Sequence, residues 1–301
     1  MPEESNLLAE DNENEAKIFF EKICKWEHLK SNFDIKETET SRKPYGLDHI
    51  FRCFDPFIGQ FMNVLIECKY RNDNKTINRT TVWDMIVKLK NKIEVAKNSP
   101  TWATTNFSDK ISTGIFKLGC VFLKIKEYDH DKYMTDLNSI PLQDTEKENP
   151  PIITTLTNYR LSKIIEFVQN KKNLQFYYPV YGKNKSPRDA PYLSFTYLFS
   201  DIIIGKYLKT TGSGSGAQEE EIYFLLSFEK PSKESINYLR NAALLWNLYD
   251  KIKEIYFTEG NNMNLQEYNS YKNNEDDFEI KIVNGDPTLN FRMEDKINAS
   301  S

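Results

Sequence analysis

The sequence predicts an α/β protein, in which a mixed sheet flanked by helices is followed by an α+β C-terminal region. Three observations carry this. Short runs rich in Val, Ile, Phe and Tyr, of strand length, alternate with longer stretches whose apolar residues recur at helical spacing. A polar, proline-containing interval, NSIPLQDTEKENPP (138–151), divides the chain near its middle. At 301 residues the chain is long enough for one large domain or two smaller ones, each with its own core. No internal repeat is visible.

The elements follow in order. Ile18, Phe19, Ile23 and Trp26 share a helical stripe, predicting a helix over 12–30 that Asn12 or Asn14 caps. FDIKETE (33–39) and GLDHIFRCF (46–54) read as strands around the RKPYG turn, and FMNVLIECKYR (61–71) as a third strand that pairs with the second. TTVWDMIVKLKNKIEVAK (80–97) is the clearest helix, with Val82, Trp83, Ile86, Leu89 and Ile93 on one side and lysines on the other. GIFKLGCVFLKIKEY (114–128) returns to strand. Beyond the interval, a helix is expected at 157–170, strands at 174–181, 192–208 and 221–229, a helix at 232–256 and a last strand at 277–283. This gives a domain over 1–135, a linker over 136–155 and an α+β region over 156–301. TTGSGSGAQ (210–218) reads as an engineered or flexible linker between two apolar strands.

Composition narrows the function classes. A net charge of -4 argues against indiscriminate coating of nucleic acid, so phosphate binding would need a local basic patch. Cys24, Cys53, Cys68 and Cys120 lie in or near apolar runs without metal-ligand spacing, as reduced core thiols of a cytoplasmic protein do. The acidic N-terminus has no signal-peptide core, and the longest apolar stretch, 192–208, is interrupted by Asp201 and too short to span a bilayer. There is no Walker loop, GxGxxG or nucleophile motif. YDHDKY (128–133) gathers acids around His130, but consecutive residues point in different directions.

One strand poses a puzzle. VLIECKYR (64–71) is apolar enough to be buried, yet alternation puts Leu65, Glu67 and Lys69 on one face and Val64, Ile66, Cys68 and Tyr70 on the other. A carboxylate and an ammonium therefore stand side by side. Asp48 belongs to the preceding strand, which would pair with this one.

GLDH (46–49) followed by ECK (67–69), with a basic amphipathic helix next, resembles the PD-(D/E)xK superfamily of restriction-endonuclease-like nucleases, and most closely its Mrr-like branch. The resemblance covers about residues 15–125. Leu47 stands where the superfamily often has proline. It implies a restriction-endonuclease-like core and a phosphodiester hydrolase. Asp48, Glu67 and the Cys68 carbonyl would hold Mg²⁺ or Mn²⁺, while Lys69 would orient or deprotonate the attacking water and stabilise the developing negative charge. A hard cation suits such oxygen donors. Two adjacent carboxylates repel, so at least one is expected to hold its proton more tightly than usual, with Lys69 partly offsetting the effect.

Members often add an acid from the first helix. Glu15 shares a side with Ile18, Phe19 and Ile23, whereas Glu21 sides with Lys17 and Lys25, so Glu15 is the expected contributor. Residues 69–97 hold eight Lys or Arg (69, 71, 75, 79, 88, 90, 92, 97) against three acids (73, 84, 94), a reversal of the chain's overall sign. Arg71, Lys75, Lys88, Lys90 and Lys92 are the expected phosphate contacts on nucleic acid, DNA first. The basic loop YGKNKSPRDAPY (181–192) is a second candidate for substrate or a partner. The resemblance implies a prokaryotic restriction or anti-phage setting, with a protein partner or a second copy of the chain engaging the C-terminal half. A non-catalytic scaffold on the same core, or a ligand-gated sensor-nuclease, is the alternative.

Overall fold

The computed structural model describes residues 2–73, 75, 77–138, 150–169, 171–179, 188–211, 218–260, 262–273 and 276–285. Two compact units emerge, one within Met1–Ser162 and one within Lys163–Gly285. The boundary falls inside a helix, later than the linker expected over 136–155. Residues 139–149 of that interval, 181–187 of the basic loop, and 212–217 of the Gly/Ser segment lie outside the described residues.

The first unit runs α1 (Pro2–Ile18), β1 (Glu27–Ile35), β2 (Tyr45–Asp55), β3 (Gln60–Asp73), α2 (Arg79–Asn98), α3 (Ser108–Ser112), β4 (Ile115–Glu127), α4 (His130–Asn138) and β5 (Ile152–Thr157). Its sheet has the order β1-β2-β3-β4-β5. The first two pairings are antiparallel and the last two parallel, so the sheet is mixed. The core is α/β and fits the restriction-endonuclease-like expectation.

The helix expected over 12–30 stops sooner. A π-turn at Phe19–Ile23 ends α1, Lys25 takes a left-handed conformation (φ 58°), and β1 starts at Glu27. Trp26 mimics helical spacing because the reversal stacks it on Phe20, 4.8 Å between ring centres. His28 thus lies on a strand. On this face of the sheet Phe20 also meets Phe51 and Phe122.

The other face belongs to α2. Asn78 caps it and Thr81 answers in a reciprocal capping box. Val82, Met85, Leu89, Ile93 and Ala96 are buried against Ile50, Leu65, Val121 and Leu123. Close approach to β4 requires Gly119, where a Cβ would come within 2.8 Å of Ile93. Residues 152–157, unassigned by the sequence pattern, pair with β4 as the fifth strand.

The second unit takes in the end of α5 (Asn158–Val168), then β6 (Lys172–Tyr178), β7 (Arg188–Ala190), α6 (Phe195–Leu198), β8 (Ile202–Thr211), β9 (Gln218–Ser227), α7 (Lys233–Leu245), β10 (Ile252–Phe257), α8 (Leu265–Ser270) and β11 (Glu279–Ile282). Its sheet has the order β11-β10-β9-β8-β6-β7. The single strand expected over 192–208 is a helical turn followed by β8. The helix expected over 232–256 ends at Leu245, where the chain reverses through Asn247 (φ 55°) and enters β10. Among the described residues no helix is long and apolar enough to cross a membrane.

Candidate active site

The site lies where β2 and β3 part. Their ladder runs from Asp55↔Gln60 to His49↔Ile66. Beyond it a side chain takes over: the Cys68 amide donates to Asp48 Oδ2 at 2.7 Å. The carboxylate thus satisfies a backbone donor that the departing strand leaves behind.

Glu67 and Lys69 share a face of β3. Lys69 Nζ donates to Glu67 Oε1 at 2.7 Å and to the Cys68 carbonyl at 3.0 Å, and stands 4.0 Å from Asp48 Oδ2. One ammonium therefore bridges both carboxylates, which places them on the same side of the sheet. Lys92, reaching in from α2, donates to Glu67 Oε2. Expected as a phosphate contact, Lys92 is here engaged with the site itself.

The two acids answer these surroundings in opposite directions. Burial, then the Glu67 charge, raises the Asp48 pKa above the ordinary carboxylate value despite the Cys68 amide and the two lysines. Burial also pushes Glu67 upward, but the charges and hydrogen bonds of Lys69 and Lys92 outweigh it and hold Glu67 below its usual value. In the absence of a cation, Asp48 is the carboxyl that keeps its proton longer.

Glu13, rather than Glu15, is the first-helix acid coupled to this site. Burial raises its pKa, Asp48 adds to the rise, and the Asn32 side chain and Lys69 oppose it. Its backbone is fixed too: His49 Nε2 donates to the Glu13 carbonyl at 3.0 Å, while His49 Nδ1 and Ser31 Oγ are 2.8 Å apart and Ser31 Oγ and His28 Nε2 2.9 Å apart. Burial, with His28 and Lys17 as the nearby positive charges, lowers the His49 pKa to about 4, so the ring is neutral at neutral pH. Glu15 is ion-paired with Lys124 of β4. The stripe that faces the sheet is Asn12, Ala16, Phe19 and Phe20, with Ile18 only half-buried. Ala16, small and easily overlooked, was the available signal, because Glu13 precedes it by one helical turn.

The remaining basic residues are spread along the same end of the chain. Arg71 donates to the Tyr70 carbonyl, Lys75 and Lys88 are exposed, and Lys90 is half-buried. Among the described residues no three His, Cys, Asp or Glu side chains converge as a ready-made metal cluster. The donors present are nonetheless of the right kind for a hard cation: two carboxylates and a peptide carbonyl, around a point already attractive to an ammonium. Mg²⁺ keeps several of its waters, so two or three protein oxygens suffice.

No curated protein matches the chain. The family described as the GAPS4 protein PD-(D/E)XK nuclease domain matches residues 1–160, more than half of the sequence and the whole of the first sheet. With a mixed five-stranded sheet, an acid at the parting of β2 and β3, and an ExK pair on β3, the chain belongs to the GAPS4 protein PD-(D/E)XK nuclease domain family.

Proposed function

We propose that this protein is a divalent-metal-dependent nuclease acting on DNA, an effector in anti-phage defence, with its single hydrolytic site at Asp48, Glu67 and Lys69. The observation that carries this is the shared ammonium: Lys69 reaches both carboxylates and the Cys68 carbonyl, which marks one point where oxygens converge.

Asp48, Glu67 and the Cys68 carbonyl would hold Mg²⁺ or Mn²⁺. When bound, such a cation offsets charge on the phosphorane-like transition state and acidifies a water. The other tasks fall to the chain. Lys69, beside Glu67, would orient the attacking water and stabilise negative charge on the phosphoryl oxygens. Lys92 keeps Glu67 ionised and aimed. Glu13 adds negative charge beside Asp48, favouring a cation further. Arg71, Lys75, Lys88 and Lys90 contact flanking phosphates.

The scaffold alternative has one observation in its favour. Both oxygens of Glu67 already accept lysine hydrogen bonds, which is a self-sufficient polar cluster. Cleavage of double-stranded DNA, single-stranded DNA and RNA with Mg²⁺ and with Mn²⁺ separates the two. The nuclease cuts at least one of them, and Lys69→Ala abolishes cutting while Mn²⁺ binding persists. If the wild type cuts none, or Lys69→Ala cuts as well as the wild type, the scaffold stands.

A further inference from the structure

The second unit follows the main strand and helix order of the first. In the first, β1, β2 and β3 pair antiparallel in sequence, α2 crosses over, β4 lies parallel to β3, and β5 lies parallel to β4 after α4. In the second, β6, β8 and β9 pair antiparallel, α7 crosses over, β10 lies parallel to β9, and β11 lies parallel to β10 after α8. Among the described residues, strand β7 and helix α6 are inserted between β6 and β8, and the short α3 of the first unit has no helical counterpart between α7 and β10.

Details follow the same scheme. Each crossover helix opens with a reciprocal capping box, at Asn78 in the first unit and at Ser232 in the second. Each helix packs on the same row of its sheet. Ile50↔Leu65 lies under α2 and Ile204↔Leu225 under α7. Opposite each crossover helix a preceding helix lays aromatics on the sheet: Phe19 and Phe20 on Phe122, Phe167 on Phe224 and Tyr256.

We infer that residues 158–282 are a second copy of the nuclease core whose metal-holding positions have been replaced, so that the copy cannot hydrolyse. Aligning the rows Ile50↔Leu65 and Ile204↔Leu225 puts Ile202 in the place of Asp48 and Ser227 in the place of Glu67, and Glu229, just past the end of β9, follows Ser227 at the interval at which Lys69 follows Glu67. Ile202 is buried in the apolar cluster under α7. Ser227 is buried, and its hydroxyl accepts the Glu229 amide at 3.3 Å. The charge at the lysine position is reversed, which repels phosphate. Moving the alignment by two residues, the smallest shift that keeps the same face, gives Ser200, Glu229 and Pro231, or Ile204, Leu225 and Ser227. Neither supplies a pair of carboxylates. The second unit thus belongs to the same architecture as the site proposed above, without its chemistry.

The experiment is a calorimetric titration of the full chain with Mn²⁺, comparing wild type, Asp48→Ala/Glu67→Ala and Ser227→Ala/Glu229→Ala. Expected is complete loss of Mn²⁺ binding in the first variant, and wild-type stoichiometry and cleavage in the second. Retention of a bound Mn²⁺ by Asp48→Ala/Glu67→Ala, or a tenfold or greater loss of cleavage in Ser227→Ala/Glu229→Ala, overturns the inference. A wild type that binds no Mn²⁺ leaves the silence of the second copy standing and overturns instead the metal site assigned to the first.

Discussion

Along β3 the chain has Glu67, Cys68 and Lys69, while at and just past the end of β9 it has Ser227, Phe228 and Glu229. The sheets that carry these triplets share the order and directions of five strands, with β7 added at the edge of the second, so the difference between the triplets is not one of core topology. It lies in what each sheet's end asks of its residues. In the first, a carboxylate stands in for a missing strand partner and two lysines neutralise its neighbour. In the second, Ile202 continues the core to the sheet's end and Phe228 returns its amide to the Asp201 carbonyl at 3.0 Å. Buried charge costs stability unless it is paired; at these two places only the first unit carries such a cluster, the second burying its paired charges elsewhere, at Glu254 with Lys281 and at Asp276 with Arg240. The first unit thus keeps a charged cluster where the second has an apolar row.

The comparison is broken or sharpened by mutation, beginning with the largest effect. Asp48→Ala should reduce cleavage by about 10³-fold or more, in the range where loss of a metal or of charge stabilisation falls, and a plasmid-cutting assay reads it directly. Ile202→Ala, at the matching position, should leave the rate unchanged. Next comes the first-helix acid: Glu13→Gln should weaken Mn²⁺ binding by about 10-fold, as outer carboxylates at metal sites do, whereas Glu15→Gln should lower thermal stability slightly without touching metal affinity. Titration calorimetry and a melting curve on each variant distinguish the two.

The stabilising role of His49 shows in the pH dependence. Its folded pKa, about 4, lies below the ordinary 6.5. The unfolded chain therefore binds the proton first, and stability present above pH 6.5 is lost as the pH falls towards 4. His49→Gln should flatten that limb, and about 2 to 3 kcal/mol of the wild-type loss is at stake. His28, Lys17 and the Glu13 carbonyl face the same ring, so His28 must be held constant in the comparison. Chemical denaturation at several pH values checks it. The smallest effect concerns phosphates: Lys88→Ala/Lys90→Ala should leave cleavage chemistry intact and reduce the slope of binding against salt by about 1 for each lysine lost.

The first unit was largely legible from its residues because its signals are local. Alternation along β3 put Glu67 and Lys69 on one face, and the stripe of Val82, Leu89 and Ile93 placed α2 against the sheet. What stayed hidden depended on chain reversals. Lys25 and Asn247, both at positive φ, end helices that apolar spacing alone would prolong, because Trp26 and Ile252 return to cores by another route. β5 was missed because Ile152–Thr157 alternates weakly and lies half-buried at the sheet edge. Glu13 was missed because an alanine marks the buried face as surely as a phenylalanine but carries little weight in a hydrophobic pattern. The repeat escaped notice for a related reason. Two copies of a fold need only the same pattern of buried positions, and Ile50 and Leu65 match Ile204 and Leu225 in burial rather than in surrounding sequence.

The hydrogen bond from His49 to the Glu13 carbonyl has a consequence for motion. It ties the first helix to the strand that carries Asp48. Helices held by few tertiary bonds open locally, well before a sheet does. Each such opening would carry the Glu13 carboxylate away from Asp48, lower the repulsion there, and weaken the cation site proposed above. By linkage, a cation that prefers the closed form must in turn hold the helix down. Amide hydrogens of residues 12–18 should therefore exchange with solvent more slowly once metal is added, while those of β9 and β10 keep the rates they had.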